Sequence, residues 1–348
     1  MPRRTRPRTE RAGPIRSEPK VPMTQISAEP QPAIRLEGVC KSYGQTHAVD
    51  QLDLVVPRGS LCGFLGPNGA GKSTTIRMIM SIIYPDRGSL QVLGGTALSR
   101  KDRIGYLPEE RGLYRKMKVV EFLQYIGKLK GCPRNTLRPC IDQWLQRIQL
   151  QEVAQKKCEE LSKGMQQKIQ FLAAVLHDPE LIILDEPFSG LDPVNAALLN
   201  TIIKDLHAEG RTIIFSTHVL EQAEQLCDRI FLINKGHKLL DASMEHIQQQ
   251  FDPRMIHLEL LDPDSRPQVL ESISCTTDVM DAQAIDAAGI EFRIDDRCDP
   301  FVLMRELVNQ HDLRSIELKK FSLSEVFVQL VAPGSGINLP TRENVDAS

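Results

Sequence analysis

The sequence predicts an α/β domain built around a parallel sheet, followed by a smaller α+β domain. Residues 181–184 and 213–215 are continuous apolar runs followed by polar side chains, as in strands buried in a parallel sheet. A glycine-rich loop at residues 66–71 separates an apolar run from a helix-like run. Beyond about residue 251 the pattern changes to short strand-like segments and a last helix. These observations predict one large and one small domain.

The composition excludes several classes of protein. The 348 residues are 41% apolar and 25% charged, as is usual for a soluble globular protein. The net charge of −2 provides no general basic field, so we expect no nucleic-acid partner. No apolar run approaches the length of about 18 residues that spans a membrane, so any link to a membrane must come through a partner. The eight cysteines form no C-x-x-C pair, which favours buried free thiols in a reducing cytosol over disulfides or zinc.

The two ends of the chain differ from its middle. Residues 1–32 are rich in Pro and Arg and contain almost no large apolar side chains. Such a segment cannot bury enough surface to offset its ordering entropy, so we predict a disordered tail. We place the main domain at residues 33–245, the small α+β domain at 251–333 and a flexible tail at 334–348.

Local patterns predict the elements in order. Alternation predicts the first strands, apolar spacing predicts a helical insertion over about residues 110–165, and Ser322 with Glu325 forms a capping box before the last helix. We predict strands at residues 34–39, 52–56, 60–65, 89–93, 104–107, 181–184, 212–217, 231–234, 238–240, 255–261, 289–294 and 315–318. We predict further helices at residues 74–83, 194–209 and 326–331.

Residues 66–73 read G-x-x-x-x-G-K-S between a predicted strand and a predicted helix, the setting that a phosphate-binding loop requires. Glycines let several N–H groups point at one anion, and the helix adds its positive end. Lys72 can reach the β- and γ-phosphates, and the Ser73 hydroxyl suits Mg²⁺. The sequence therefore predicts nucleotide binding rather than a glycine-rich turn with a chance Lys-Ser pair. The predicted ATP-binding residues of this segment are Gly66, Pro67, Asn68, Gly69, Ala70, Gly71, Lys72, Ser73 and Thr74.

Two acids follow the buried run at residues 181–184. Asp185 is placed to hold Mg²⁺ opposite Ser73, and Glu186 to polarise an attacking water. The alternative role of such acids is to cap the next helix. With the phosphate loop they define a P-loop NTPase. Tyr43 lies on a turn before the loop, where it is either an edge-strand aromatic or a surface on which a purine ring stacks.

The order of these motifs resembles the nucleotide-binding subunit of an ABC transporter over residues 34 to about 240. The resemblance implies an ABC ATPase core with ATP and Mg²⁺ as ligands and Tyr43 stacked on adenine. It implies catalytic roles for Lys72, Glu186 and His218, the last a switch histidine that contacts the γ-phosphate and Glu186. It implies a signature loop at Leu161, Ser162, Lys163, Gly164 and Met165, which presses on the γ-phosphate held by the opposite subunit. It also implies a dimer-interface loop at Ser189, Gly190, Leu191 and Asp192.

Two departures from the family pattern bear on rate and coupling. Glu109 stands where the family has Gln, the residue that senses Mg²⁺ and couples to the membrane partner. A carboxylate there binds a cation more strongly and repels a γ-phosphate more. Lys163 and Met165 replace Gly and Gln of the signature. Segments 106–114 and 321–327 resemble the sodium-exporter-like and ABC-2 export branch, which carries an appended C-terminal domain.

The resemblance thus implies an ATPase that energises export by a separate transmembrane permease subunit, with Mg²⁺ held by Ser73, Glu109 and Asp185. It implies a second ABC ATPase subunit, in a homodimer or a heterodimer, because one chain supplies one phosphate loop and one signature loop. We expect the protein at the cytoplasmic face of the plasma membrane, attached through the permease. Two alternatives stay open: a soluble ABC-type ATPase not coupled to transport, and an ATP-binding regulatory module with weak hydrolysis.

Overall fold

The computed structural model describes residues 31–110, 112–252, 254–320 and 322–331. The predicted tail at 1–32, except for Gln31 and Pro32, and the predicted tail at 334–348 lie outside the described residues. Arg111 and Phe321, which belong to the two segments that resemble the export branch, also lie outside them.

Strands make up three sheets in the described residues. The strands are Ile34–Tyr43 (β1), Thr46–Val56 (β2), Leu61–Leu65 (β3), Arg87–Val92 (β4), Ile104–Leu107 (β5), Leu181–Asp185 (β6), Thr212–Thr217 (β7), Arg229–Asn234 (β8), His237–Ser243 (β9), Met255–Leu260 (β10), Val279–Ala284 (β11), Gly289–Ile294 (β12) and Leu313–Leu318 (β13). The helices are Lys72–Ile79 (α1), Val119–Leu129 (α2), Arg134–Arg147 (α3), Lys163–Val175 (α4), Pro193–Ala208 (α5), Leu220–Leu226 (α6), Met244–Gln250 (α7), Arg266–Ser274 (α8), Pro300–Gln310 (α9) and Leu323–Val331 (α10).

The central sheet has the order β5-β6-β7-β3-β8-β9, parallel except for the antiparallel last strand. Its inner strands are buried on both faces, which is why their sequences read as continuous apolar runs. The register pairs Asp185 with Ser216 and Leu65 with Thr217, so the carboxyl ends of β6, β7 and β3 meet at one edge. The predicted parallel sheet with polar groups at its carboxyl edge is confirmed.

Each face of the central sheet packs on its own apolar core. Along β3 the side chains alternate, with Leu61 and Leu65 in one core and Cys62 and Phe64 in the other. The first core joins the sheet to α2–α7, and the second joins it to α1 and the antiparallel sheet β2-β1-β4. The glycine loop, which follows β3, therefore leaves the sheet between these two cores.

The eight cysteines are free thiols in the structure. Only Cys62, Cys158 and Cys227 are buried, and Cys275 is exposed, so the expectation of buried thiols is wrong for the others.

The small sheet has the order β11-β12-β10-β13 and is antiparallel throughout. The chain runs β10-α8-β11-β12-α9-β13, which is the ferredoxin-like βαββαβ arrangement. Apolar residues of both helices and all four strands form its core. The α+β class predicted for this region is confirmed, although the sequence reading missed α8, α9 and β11.

The last helix returns from the small sheet to the main one. In α10, Leu323 and Val326 are buried in the first core of the central sheet. Glu224 of α6 accepts the backbone N–H of Leu323 at 3.1 Å, and the Ser324 hydroxyl donates to Glu221 at 3.3 Å. Helix α10 is thus anchored to the helix that follows the predicted switch histidine.

One helix is shorter than predicted. The spacing predicted a helix to residue 83, whereas α1 ends at Ile79. Ser81 has a φ of 55°, a left-handed conformation that ends the helical path, and Pro85 follows. Within the described ranges, no helix combines the length and apolar character needed to cross a bilayer.

Candidate nucleotide site

The loop between β3 and α1 has a backbone that requires glycine at two positions. Gly66 and Gly71 have φ values of 154° and 108°. A Cβ on Gly66 would lie 2.2 Å from the Ile233 carbonyl oxygen, and one on Gly71 would lie 2.4 Å from that of Ala48. Side chains are excluded at both positions by conformation and by space. Because α1 begins directly after this loop, its N-terminal N–H groups face the same point, which favours an anion.

Lys72 is held inside the loop. Its Nζ donates to the carbonyl oxygens of Gly66 at 2.6 Å and Pro67 at 3.1 Å, and the residue is 6% exposed. Burial lowers the pKa of Lys72, and the negative charges of Glu186, Asp185 and Glu109 oppose this shift. The ammonium group of Lys72 therefore lies near three carboxylates and within reach of phosphate oxygens that enter the loop.

A cavity of about 330 Å³ lies between the loop and the carboxyl edge of the central sheet. It is lined by Ala48, Asn68, Gly69, Ala70, Gly71, Lys72, Ser73, Thr74, Glu109, Asp185 and Glu186. The structure thus brings together the predicted phosphate loop, the predicted metal ligands and the predicted base. Gly66 and Pro67 are not in this lining, but their carbonyl oxygens accept hydrogen bonds from Lys72. Ala48 was missed because it reaches the cavity only through the packing of β2 against the loop.

Asp185 ends β6 and is 3% exposed. Its carboxylate accepts a short hydrogen bond from the Ser216 hydroxyl, which the register of β6 and β7 places opposite. Burial raises the pKa of the Asp185 carboxyl, while the Ser216 hydrogen bond lowers it. The sequence reading noted polar residues at the end of β7 but did not select Ser216, whose role depends on strand register.

Glu186 has a left-handed backbone with φ of 50°. Its N–H donates to the Ser216 carbonyl at 3.1 Å, and the Gln167 amide donates to the next carbonyl, that of Pro187, at 3.1 Å. These contacts hold a conformation that costs a non-glycine residue about 1–2 kcal/mol. Glu186 Oε1 lies 2.8 Å from His218 Nδ1. His218 does not line the cavity and reaches it through Glu186.

The cavity contains the oxygen donors that Mg²⁺ prefers. Ser73, Glu109 and Asp185 all line it. In the part of the chain that the structure describes, no group of three His, Cys, Asp or Glu side chains is arranged to hold a metal ion alone. Mg²⁺ is commonly held by one or two carboxylates together with substrate phosphates, so the donor set fits a metal that arrives with a nucleotide.

Tyr43 ends β1 and is 51% exposed. Lys41 Nζ lies 5.9 Å from the centre of its ring. The ring is not part of the phosphate cavity lining, so its stacking on adenine stays a prediction.

The predicted signature loop and interface loop lie against each other. The Ser162 hydroxyl accepts the N–H of Met165 at 3.3 Å and caps α4, while Leu161 is buried and Lys163 is exposed. A Cβ on Gly164 would lie 3.4 Å from the Gly190 carbonyl oxygen and 3.5 Å from Leu191. The other residues of the interface loop are Ser189 and Asp192, which caps α5 by accepting the Asn195 N–H at 2.9 Å.

Neither loop contributes to the lining of the phosphate cavity of its own chain. The capping hydroxyl of Ser162 and the N-terminus of α4 offer the groups that bind anions, but they offer them away from this cavity. The two loops form one surface that is available to another molecule.

The chain is similar in sequence and fold to known proteins. A family model described as ABC transporter matches residues 49–189, and one described as the C-terminal domain of DrrA1-3-like ATP-binding proteins matches residues 243–331. The uncharacterized ABC transporter ATP-binding protein YhaQ of Bacillus subtilis (strain 168) is 38% identical over 299 residues, covering 86% of this chain and 98% of that protein.

Two further likenesses cover different lengths of the chain. The daunorubicin/doxorubicin resistance ATP-binding protein DrrA of Streptomyces peucetius is 32% identical over 310 residues, covering 88% of this chain and 94% of that protein. A solved structure described as the ATP-binding subunit of an ABC transporter has a TM-score of 0.59 at 29% identity, covering 63% of this chain and 93% of that chain.

Proposed function

Because the chain belongs to the family of ABC transporter ATP-binding proteins, we propose that it hydrolyses ATP to energise export by a separate transmembrane subunit. The observation that carries the proposal is the shared cavity of Lys72, Asp185 and Glu186, with Glu186 hydrogen-bonded to His218. Phosphoryl transfer needs charge stabilisation and a positioned water rather than covalent chemistry, and these groups supply both.

Each residue has a defined part in the proposed hydrolysis. Residues 66–74 bind the phosphates through loop N–H groups, and Lys72 exchanges loop carbonyls for phosphate oxygens. Glu186 orients the attacking water and accepts its proton, and His218 holds that carboxylate in place. Tyr43, at the exposed end of β1, stacks on the adenine ring of ATP.

Ser73, Glu109 and Asp185 are the proposed ligands of Mg²⁺. When bound, the metal neutralises charge on the β- and γ-phosphates. Ser216 keeps the Asp185 carboxylate oriented, since its hydroxyl donates to that group.

A second ATPase subunit completes the site in this proposal. Residues 161–165 and 189–192 lie together and outside the cavity of their own chain, which supports their contact with the nucleotide of a partner. The partner is a second copy or a related chain. The permease places the complex at the cytoplasmic face of the plasma membrane. The export direction rests on the likeness to DrrA, whose name refers to resistance to two drugs, and on the shared C-terminal domain.

Glu109 favours a second candidate function, ATP binding with slow hydrolysis in a regulatory role. Its carboxylate lines the phosphate cavity with those of Asp185 and Glu186. Three carboxylates repel a γ-phosphate more strongly than two, unless a cation compensates.

A steady-state phosphate-release assay tests these functions. The purified chain is assayed alone and in proteoliposomes with the polytopic membrane protein that copurifies with it. We expect Mg²⁺-dependent turnover that rises in proteoliposomes, and Lys72→Ala should abolish it. Turnover that the membrane protein never changes would overturn coupling to transport and leave the uncoupled ATPase. Nucleotide binding without turnover in either form would favour the regulatory role.

A further inference from the structure

Helix α4 carries three buried polar side chains that face the core. Gln167, Lys168 and Gln170 are 2%, 6% and 6% exposed. Polar groups in an apolar core are unfavourable unless hydrogen-bonded, and each of these three donates to a different loop. Gln167 donates to the carbonyl oxygen of Pro187 at 3.1 Å, and Lys168 donates to that of Ile148, after the end of α3, at 3.0 Å. The third donation, from Gln170, reaches the loop that carries Glu109.

The Gln170 amide holds that loop by its main chain. Its Nε2 donates to the carbonyl oxygen of Glu110 at 3.1 Å, one residue beyond Glu109. A Cβ on Gly112 would lie 4.0 Å from the same nitrogen, so the loop passes closely along the amide. The carbonyl acceptor fixes which end of the amide faces the loop. Gln170 therefore fixes the backbone on which Glu109 stands.

The other end of this amide is unused. Gln170 Oε1 is buried and has no hydrogen-bond partner among the described residues. A buried acceptor without a donor is unfavourable, so an arrangement in which the loop supplies a backbone N–H to it would be stabilised. This oxygen offers the loop a second attachment beside the one already made.

We propose that Gln170 is a positioning residue that holds Glu109 over the phosphate cavity, and that its Oε1 accepts a backbone N–H from residues 109–110 or 112–113 when the loop closes on magnesium-bound nucleotide. The proposal rests on the proposed function, because it takes Glu109 as a cation ligand. Since α4 begins within the predicted signature loop and carries Gln170, it links the Glu109 loop to the surface that we propose for the partner subunit.

The test compares Gln170→Met with Asn200→Leu in the full chain. Met keeps the length of Gln and removes both polar atoms. Asn200 is a matched control, because it is also a helix amide whose buried oxygen has no hydrogen-bond partner among the described residues, but it lies on α5. Hydrogen exchange of the peptide 106–114 is measured without nucleotide and with magnesium and a non-hydrolysable ATP analogue.

In the wild type we expect magnesium and the analogue to slow exchange of this peptide. In Gln170→Met, exchange without nucleotide should be faster by about fivefold, the effect of one neutral hydrogen bond, and the slowing on binding should be lost. The Mg²⁺ concentration for half-maximal turnover should rise by a similar factor, about fivefold. ATP binding in EDTA should change less than about twofold, because the phosphate loop is intact. Asn200→Leu should leave all these quantities unchanged.

Equal exchange in Gln170→Met and the wild type would overturn the proposal, and so would an equal effect of Asn200→Leu. Gln170→Asn serves as a second variant in case Gln170→Met packs poorly. Its amide is one methylene too short to reach Glu110, so it should have the same effects on hydrogen exchange and Mg²⁺ requirement.

In a Glu109→Gln background the shift in Mg²⁺ requirement should disappear, since Gln170 acts through the Glu109 carboxylate; a persisting shift contradicts the proposal. A wild-type chain that binds no magnesium nucleotide refutes the proposed function, while the nucleotide-free exchange comparison still decides the role of Gln170.

Discussion

His218 Nδ1 lies 2.8 Å from Glu186 Oε1, although the two residues are far apart in sequence. They follow the neighbouring strands β6 and β7, whose register brings their carboxyl ends together. The Glu186 side chain is 14% exposed and that of His218 is 56% exposed. The carboxylate is thus fixed from the protein side by its strained backbone and from the solvent side by an exposed histidine.

The Glu186→Gln variant should separate nucleotide binding from hydrolysis. Gln keeps the shape and the contact with His218 but cannot accept a proton, so we expect turnover to fall by at least about 100-fold. Binding of ATP, measured by equilibrium titration, should stay close to the wild-type value because the phosphate loop is unchanged. Glu209→Gln, an exposed acid after α5, is the control for loss of a surface charge. Wild-type phosphate release by Glu186→Gln would refute the assignment of the base.

The same variant should reveal the association that we propose for the phosphate site. Ser162 and Gly164 lie outside the cavity of their own chain, and in the proposed function they act on the nucleotide of a second subunit. With hydrolysis blocked, saturating Mg–ATP should double the mass of Glu186→Gln in multi-angle light scattering. Adding Lys72→Ala should keep the chain monomeric, because the phosphates are then not held. A Glu186→Gln chain that stays monomeric with saturating ATP excludes the homodimer and leaves a heterodimer.

Much of the site was predictable because its residues have local signatures. The loop at 66–73 is defined by spacing, and Asp185 and Glu186 by their position after a buried strand. Contacts that depend on packing were not predictable. Ser216 is selected by strand register, and Ala48 by the approach of β2 to the loop. Gln170 looks like a solvated helix residue in the sequence, and only the fold shows that it is buried.

The elements of the fold, like the residues of the site, were predictable where the sequence carries a local signature. The buried strands have continuous apolar runs and were found, whereas five other elements were missed: α6, α7, α8, α9 and β11. The surface of the small domain is mixed: β11 exposes Met280, and α9 exposes Phe301, Val302 and Val308. Apolar residues on both sides of an element weaken the periodicity that distinguishes helix from strand.

Two glycines of the loop should differ in their tolerance of alanine. Gly69 and Gly71 both have positive φ, 77° and 108°. A Cβ on Gly69 meets nothing within 4 Å, whereas one on Gly71 would lie 2.4 Å from the Ala48 carbonyl oxygen. Gly69→Ala should therefore cost only the conformational strain, about 1–2 kcal/mol of unfolding free energy. Gly71→Ala should cost more and should abolish ATP binding. Denaturant unfolding and ATP titration measure both, and equal effects of the two variants would contradict this explanation.

Asp185 should destabilise the nucleotide-free protein at neutral pH. Burial raises the pKa of its carboxyl, so the folded state holds the proton more tightly than the unfolded chain. The free energy of unfolding then falls as pH rises from the ordinary Asp range through the raised pKa, and it stays lower above that pKa. Asp185→Asn cannot ionise and can still accept the Ser216 hydrogen bond.

We expect Asp185→Asn to melt about 2–4 °C higher than the wild type at pH 7 without nucleotide or metal. The difference should shrink as pH falls towards about 4, the ordinary range of Asp. Asp312→Asn, an exposed aspartate in the small domain, is the control and should show no such trend. A lower melting temperature for Asp185→Asn at pH 7 would show that the charge of Lys72 outweighs the effect of burial.

The last helix should contribute to the stability of the main core rather than only to the small domain. Val326 is fully buried in the core that α10 shares with α6, while Val331, on the same helix, is 37% exposed. Val326→Ala removes two methyl groups from a packed site and should lower the unfolding free energy by about 2 kcal/mol. Val331→Ala should lower it by less than about 0.5 kcal/mol, as expected for a surface position. Because α10 packs on α6, Val326→Ala should also raise the rate of hydrogen exchange in residues 218–226, which include α6 and His218. A loss of stability confined to the small sheet would contradict the packing of α10 on α6.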